Sequence, residues 1–183
     1  MPYQTAITKA WEDLEKLSDN QKWTVALLGD SYEIGLKDRQ VLSNSCNVPA
    51  KDHVVILLLH YIIATFKNKY IPSGEWISFK EIGGGEIYYP AFKEAVIKPI
   101  LRKYGTHPEN LFSILERFKG EKIESTGAGI EIVTFPEVKV RIIVWAGDEE
   151  FGPEASLLFD KSLAKIYTME DITVLSHFIV GNI

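Results

Sequence analysis

The chain has 183 residues, of which 46% are hydrophobic and 25% are charged. This is the composition of a globular protein, and it excludes a disordered tail or a collagen-like fibre. Twenty basic and 25 acidic side chains give a net charge of −5 at pH 7. We therefore expect neither nucleic acid nor a membrane as a partner, because both favour a positive protein surface. The length predicts a single domain over residues 1–183.

Cys46 is the single cysteine of the sequence. One cysteine excludes an intrachain disulfide, and it predicts that the chain holds no iron–sulfur cluster and no structural zinc. The first residues lack the pattern of a secretory signal, and the longest apolar stretch, residues 54–66, is too short to cross a bilayer. These features predict a cytoplasmic protein.

The first elements along the chain are one helix and a small sheet. Apolar residues recur at helical spacing over residues 5–17. Three short apolar runs, separated by turn residues, then predict a β-meander over residues 23–28, 32–36 and 40–42. Residues 43–49 form a loop by composition.

The next segment, from His53 to Phe66, contains neither glycine nor proline, and its apolar residues are almost continuous. A helix that is apolar on every side is buried in the folded protein. We therefore predict a central helix that packs against other elements on more than one side, with Asp52 capping its start.

Glycine and proline divide the middle of the chain. A short strand within residues 74–82 ends at three consecutive glycines, residues 83–85. Pro90 suits the first turn of a helix, so we predict a helix over about residues 91–104. Pro99 should kink this helix, because proline lacks the N–H group that a helix interior needs.

The last part of the chain combines helices with the clearest strands. A helix that begins at Pro108 is followed by strands over residues 130–135, 138–145 and 155–159. Thr168 caps a final helix, with Asp171 at its third position. The fold class is therefore predicted to be α+β: antiparallel strand pairs packed with about five helices around the buried central helix.

The three glycines invite comparison with phosphate-binding loops. No lysine followed by serine or threonine comes after a spaced glycine pair, and the dinucleotide fingerprint is absent. The favoured interpretation is a tight turn in which one glycine has positive φ.

Four histidines are candidates for metal binding or acid–base chemistry: His53, His60, His107 and His177. His53 and His60 are two helical turns apart, roughly 10 Å along the axis, so they do not suit a single metal ion. We predict no metal site, and we interpret His60 as a core histidine that is hydrogen-bonded through one ring nitrogen.

Asp148, Glu149 and Glu150 form an acidic loop that follows a predicted strand. Adjacent carboxylates repel one another, which is unfavourable unless something relieves the repulsion. In one interpretation, Asp148 and Glu150 join Asp160 in a group that binds a cation or acts in acid–base chemistry. In the other, Gly147 and Asp148 begin a turn and the glutamates are solvated.

Aromatic residues lie close to these loops, and Trp76, Tyr88 and Trp145 are candidates for a binding surface. The alternative is that the aromatic side chains complete the core. Arg102 and Arg141 are candidates for binding an anion, and Arg141 shares a strand face with Trp145.

Several segments occur together in an order and spacing typical of one family. They are residues 57–61, 74–81, 88–92, 144–151, 158–160 and 168–171. Over residues 20–180 the chain resembles a prokaryotic domain-of-unknown-function family, number 3786, so residues 21–183 form a family-like region after an N-terminal helix in residues 1–20. The most specific part is the acidic loop.

The resemblance implies an anaerobic bacterial or archaeal setting, but it supplies no activity and no catalytic residues. Some members look fused to iron–sulfur modules. Since this chain lacks the cysteines for a cluster, any cluster would belong to a separate partner.

The leading functional hypothesis is an accessory domain of anaerobic metal or cofactor metabolism. It would bind a protein partner or a small molecule through the surface around the acidic loop and the glycines. The first alternative is an enzyme that uses Asp148, Glu150 and Asp160. The second is a structural subunit of a complex, and the sequence leaves the oligomeric state and any cofactor open.

Overall fold

Two antiparallel sheets and five α-helices make up residues 3–67 and 70–183, the part of the chain that the computed structural model describes. The predicted α+β class is confirmed. Helices and antiparallel strands alternate in groups along the chain, and no parallel crossover is needed to connect neighbouring strands.

The first group is the predicted helix and β-meander. Its elements are α1 (Gln4–Leu17), β1 (Lys22–Leu27), β2 (Asp30–Gly35) and β3 (Gln40–Ser43). The strands pair in the order β1-β2-β3. Helix α1 buries Ala10, Trp11 and Leu14, which recur at helical spacing on one face.

The central helix is confirmed as α2 (Asp52–Lys67), and half of its residues are buried. It packs against α1 and against the last helix, α5 (Met169–Asn182). The ring of Tyr61 stacks on Phe135 with centroids 4.6 Å apart, and the hydroxyl of Tyr167 donates a hydrogen bond to the carbonyl of Leu57 at 2.8 Å. Burial on several sides therefore follows from the nearly continuous apolar pattern.

The larger sheet has five strands in the order β4-β8-β7-β6-β5. They are β4 (Trp76–Ser78), β5 (Gly120–Lys122), β6 (Ala128–Phe135), β7 (Val138–Trp145) and β8 (Glu154–Asp160). On β7, Val138, Val140, Ile142 and Val144 are fully buried, whereas the residues between them face outward. Strand β5 was not predicted, because its three residues are exposed and carry no apolar pattern.

The prediction for the region around Pro90 was wrong. Helix α3 (Gly85–Phe92) begins at the third glycine, so Pro90 lies inside it rather than in its first turn. A π-helical turn (Lys93–Ile97) follows, and α4 (Lys98–Tyr104) continues it. The N–H of Lys98 bonds to the carbonyl of Lys93, five residues back, so Pro99 enters a new first turn where its missing N–H group costs little.

The three glycines form the predicted turn, and two of them have separate structural roles. Gly84 has a φ of 81°, in the left-handed region that glycine adopts without strain. Gly85 sits so close to the preceding segment that a Cβ atom there would lie 1.9 Å from the carbonyl oxygen of Phe79. Gly84 and Gly85 thus allow the chain to make the tight turn that leads into α3.

The helices predicted after Pro108 and after Thr168 are present, and two short 3₁₀-helices, Phe79–Glu81 and Lys161–Lys165, were not predicted. Pro108–Glu116 is a 3₁₀-helix, and α5 begins with the predicted capping box of Thr168 and Asp171. Within the described ranges, no helix combines the length and apolar character needed to cross a bilayer.

Candidate functional site

The acidic loop between β7 and β8 is a self-capped turn. Oδ1 of Asp148 accepts hydrogen bonds from the backbone N–H groups of Glu150, at 2.9 Å, and Phe151, at 2.7 Å. These bonds lower the pKa of Asp148. Glu149 and Glu150 are exposed to solvent. The geometry is that of the turn interpretation.

Asp160 is buried at the other end of β8, where it is 3% exposed. Its carboxylate accepts hydrogen bonds from the backbone and hydroxyl of Ser73, the backbone of Gly74, and the backbone and hydroxyl of Ser162. Burial by itself would raise the pKa of Asp160, but these bonds outweigh it and lower the pKa to about 2. The carboxylate therefore holds the segment before β4 against the end of β8.

The structure does not bring Asp160 together with the acidic loop. Trp145 and Glu154, which flank that loop, pair with each other, whereas Asp160 pairs with Trp76 at the opposite end of β8. Six residues of extended strand separate Glu154 from Asp160, about 20 Å. The predicted three-carboxylate group is therefore not formed, and a binding role for the loop stays a prediction.

Trp76, Arg141 and Trp145 share the outer face of the larger sheet. The guanidinium of Arg141 lies 4.0 Å from the ring centre of Trp76, and its Nε donates to buried Glu131 at 2.9 Å. Lys139 also binds Glu131. Burial would raise the pKa of Glu131, but the two cations lower it. Arg141 is therefore engaged within the protein. No sequence pattern predicted that Glu131 is buried.

A cleft of about 570 Å³ lies beside the loop after β3. Its acidic group, Asp30, accepts hydrogen bonds from the hydroxyls of Ser43 and Ser45 and from the backbone of Ser31. Burial would raise the pKa of Asp30, but these bonds lower it. The thiol of exposed Cys46 contacts the Ser43 hydroxyl at 3.2 Å. The carboxylate thus holds the loop in place.

A second cleft, of about 450 Å³, combines several free functional groups. We call it the His60 cleft. It lies between α1, α2 and the start of α5. The residues that line it are Ala6, Lys9, Ala10, Asp13, His60, Ile63, Ala64, Lys67, Lys165, Ile166, Thr168 and Asp171.

His60 and Asp171 form a hydrogen-bonded pair in the wall of this cleft. Nδ1 of His60 lies 2.6 Å from Oδ1 of Asp171. The carboxylate is buried, whereas the His60 side chain is 32% exposed. The predicted bond through one ring nitrogen is present, but His60 borders a cleft and is not a core residue. Sequence spacing could not predict the partner, which lies 111 residues away.

Asp171 has a defined charge and orientation. Its Oδ2 accepts hydrogen bonds from the backbone of Thr168, at 3.0 Å, and from the Thr168 hydroxyl, at 2.7 Å. Burial would raise the pKa of Asp171, but the hydrogen bond and charge of His60, together with the Thr168 bonds, lower it. An ionised Asp171 accepts the Nδ1 proton, so Nε2 is the His60 nitrogen left for a ligand.

Three lysines line the same cleft: Lys9 from α1, Lys67 from the end of α2, and Lys165 from the segment before α5. All three are exposed, and none lies within 4 Å of a carboxylate oxygen in the described part of the chain. Asp13, the other acid of the cleft, is paired with Lys16 at 3.6 Å. The cleft therefore offers three ammonium groups next to an oriented imidazole.

This arrangement can bind an anion and can exchange a proton with it. Ammonium groups bind phosphate or carboxylate oxygens as point charges. An imidazole whose other nitrogen is held by a carboxylate is oriented to pass a proton to or from a bound ligand. Among the described residues, no group of three or more His, Cys, Asp or Glu side chains is placed to hold a metal ion.

Comparison with protein-family models identifies the family of the chain. The family model for a domain of unknown function, DUF3786, matches residues 11–182, which begins inside α1 and ends at the last residue of α5. No curated protein and no solved structure matches the chain significantly. Because the family model covers almost the whole sequence, the chain belongs to the DUF3786 family, as its motifs predicted.

Proposed function

We propose that this protein is a ligand-binding domain that takes a small anionic molecule into the His60 cleft. The observation that supports the proposal is the oriented His60–Asp171 pair with Lys9, Lys67 and Lys165 lining the same cleft. The volume of about 450 Å³ lies in the range of small-molecule sites.

Charge is the main argument for an anion. The whole chain carries a net charge of −5, yet three ammonium groups line one cleft. Like charges that line a cleft reinforce one another and raise the local concentration of a ligand of opposite sign. The two carboxylates of the cleft are already paired, Asp13 with Lys16 and Asp171 with His60. An anionic ligand would therefore relieve the repulsion among the lysines.

The His60–Asp171 pair favours a second candidate function, acid–base catalysis on the bound anion. A carboxylate that fixes the tautomer of an imidazole is the arrangement found around general bases. His60 would then be the group that moves the proton, and Asp171 the residue that positions it. This candidate differs from the enzyme hypothesis based on the acidic loop, since it uses none of Asp148, Glu150 and Asp160.

The test is a thermal-shift and calorimetry screen at low salt with inorganic phosphate, glycerol phosphate, succinate and citrate. Sodium chloride at matched ionic strength corrects for screening. A true ligand at 100 times its Kd stabilises the fold by about 2.7 kcal/mol, which raises the melting temperature of a domain this size by about 5–10 °C.

Charge variants locate the site. The double variant Lys9→Gln/Lys165→Gln should lose the shift. The control Lys37→Gln/Lys93→Gln changes the net charge equally at exposed positions outside the cleft, and it should keep the shift. If all four anions act like chloride, or if both double variants lose the shift equally, the proposal is wrong.

The surface around the acidic loop and the glycines remains the predicted surface for a protein partner or a small-molecule ligand. An accessory role in anaerobic metal or cofactor metabolism also remains a prediction, supported by the family resemblance. Both are compatible with a ligand site in the His60 cleft, because that cleft is built from different elements, α1, α2 and α5.

A further inference from the structure

A mostly apolar groove of about 410 Å³ lies between α3 and α5, and we call it the α3–α5 groove. Three aromatic side chains line it: Phe79, Tyr88 and Phe92. The rings of Phe79 and Phe92 stack with centroids 4.0 Å apart and are both buried, so they form a rigid base. Tyr88 also lines the groove and is 57% exposed.

Small residues and an irregular helix keep the groove open. Ala91 and Ala95 line it from α3 and from the π-helical turn Lys93–Ile97. Any longer side chain at these exposed positions would project into the space. π-helical turns are rare and frequently occur at functional sites, since the wider turn moves side chains out of the regular helical register.

Among the described residues that line the groove, one side chain carries a fixed charge. It is Glu170, in the first turn of α5. Glu170 is exposed, and no basic nitrogen of the described residues lies within 4 Å of its carboxylate. The groove therefore offers an apolar wall with one exposed aromatic residue, Tyr88, and one negative charge that has no basic partner among the described residues. This charge is opposite in sign to that of the lysines of the His60 cleft.

We propose that the α3–α5 groove binds a small organic cation with an aromatic body. The flat body would cover the exposed apolar surface of Tyr88, Ala91 and Ala95, above the buried Phe79 and Phe92 rings, and would remove it from water. The ammonium group would be attracted by the carboxylate of Glu170 and by the ring face of Tyr88, since cations are held over aromatic faces. The volume and the small number of polar groups are those of small-molecule sites.

The test compares two probes of the same shape and opposite charge, tryptamine and indole-3-propionate, by ligand-observed NMR and calorimetry at pH 8. Tryptamine should bind about tenfold more tightly, because only its ammonium group is attracted by the Glu170 carboxylate and by the ring of Tyr88. Glu170→Gln should reduce that preference to about threefold, since the contact of the ammonium group with Tyr88 remains. Ala95→Leu should fill the groove and weaken both probes, whereas Ala164→Leu, an exposed alanine outside the groove, should leave them unchanged.

Each of the following results would contradict the proposal. Equal binding of the two probes to the wild type, binding that survives Ala95→Leu, or no saturable binding of tryptamine at about 1 mM would overturn it. A dimer in sedimentation equilibrium that Ala95→Leu dissociates would identify a second copy of the chain as the occupant instead. Since Ala95 and Glu170 are exposed, melting curves should confirm that all variants fold. Neither residue lines the His60 cleft, so failure here leaves the anion site untouched.

Discussion

His60 and Asp171, 111 residues apart in sequence, meet at 2.6 Å and join the central helix to the last helix. The same carboxylate closes the capping box of α5 through Thr168. The Asp171 carboxylate therefore helps to cap the start of α5, orients the imidazole of His60 and forms part of the wall of the His60 cleft. Substitution of His60 or of Thr168 would remove one of these roles and leave the other, because the two partners bind different oxygen atoms of Asp171.

The first prediction concerns the stability that Asp171 provides. Asp171→Ala should lower the free energy of unfolding by about 1–3 kcal/mol, since it removes part of a helix cap and the carboxylate that bonds to His60 and Thr168. Urea denaturation measures the change. Glu170→Ala, at the neighbouring exposed position, is the control and should change the stability by about 0.5 kcal/mol or less. Equal losses in the two variants would contradict the capping role.

The second prediction concerns acid stability. The pKa of Asp160 is lowered from 3.8 to about 2 in the folded protein, so its ionised form stabilises the fold fully above pH 4. That contribution, about 2–3 kcal/mol, should be lost as the pH falls from 4 towards 2. Asp160→Asn should be less stable at pH 7 and should show a flatter fall in this range, measured by urea denaturation at each pH. An unchanged pH profile would show that Asp160 is not the responsible group.

The third prediction concerns the glycines before α3. Gly85→Ala should destabilise the protein by about 3 kcal/mol, because the new Cβ would overlap the carbonyl oxygen of Phe79 and the backbone must move. Gly83→Ala is the matched control, since a Cβ there meets nothing within 4 Å and its φ is not positive. Its effect should stay within about 0.5 kcal/mol. Thermal denaturation of both variants distinguishes a steric requirement from a general effect of the glycine run.

The fourth prediction concerns the acidic loop. Asp148→Ala should lower the melting temperature, because the backbone N–H groups of Glu150 and Phe151 lose their acceptor. Glu149→Ala should leave it unchanged, since that side chain is exposed and makes no hydrogen bond to the described residues. If Glu149→Ala lowered the melting temperature more than Asp148→Ala, the hydrogen bonds of Asp148 would not be what stabilises the loop.

Much of the secondary structure could be predicted from local patterns. Alternation over residues 130–135 and 138–145 predicted β6 and β7, and the nearly continuous apolar run predicted that α2 is central. The start of α5 followed from Thr168 and Asp171. These signals are local, because the periods of helices and strands and the chemistry of caps act within a few residues. Pro90 was misplaced because the helix start depended on the contact between Gly85 and Phe79.

The amino-acid sequence by itself determined the α+β class, the buried central helix, the capping box and the turn-forming chemistry of the glycines and of Asp148. Only the tertiary structure decided which side chains meet. It placed Asp160 about 20 Å along β8 from the acidic loop, and it brought His60 to Asp171 beside three lysines. The physical reason is that strand pairing and helix packing join residues far apart in sequence, and no local pattern records the register in which they do so.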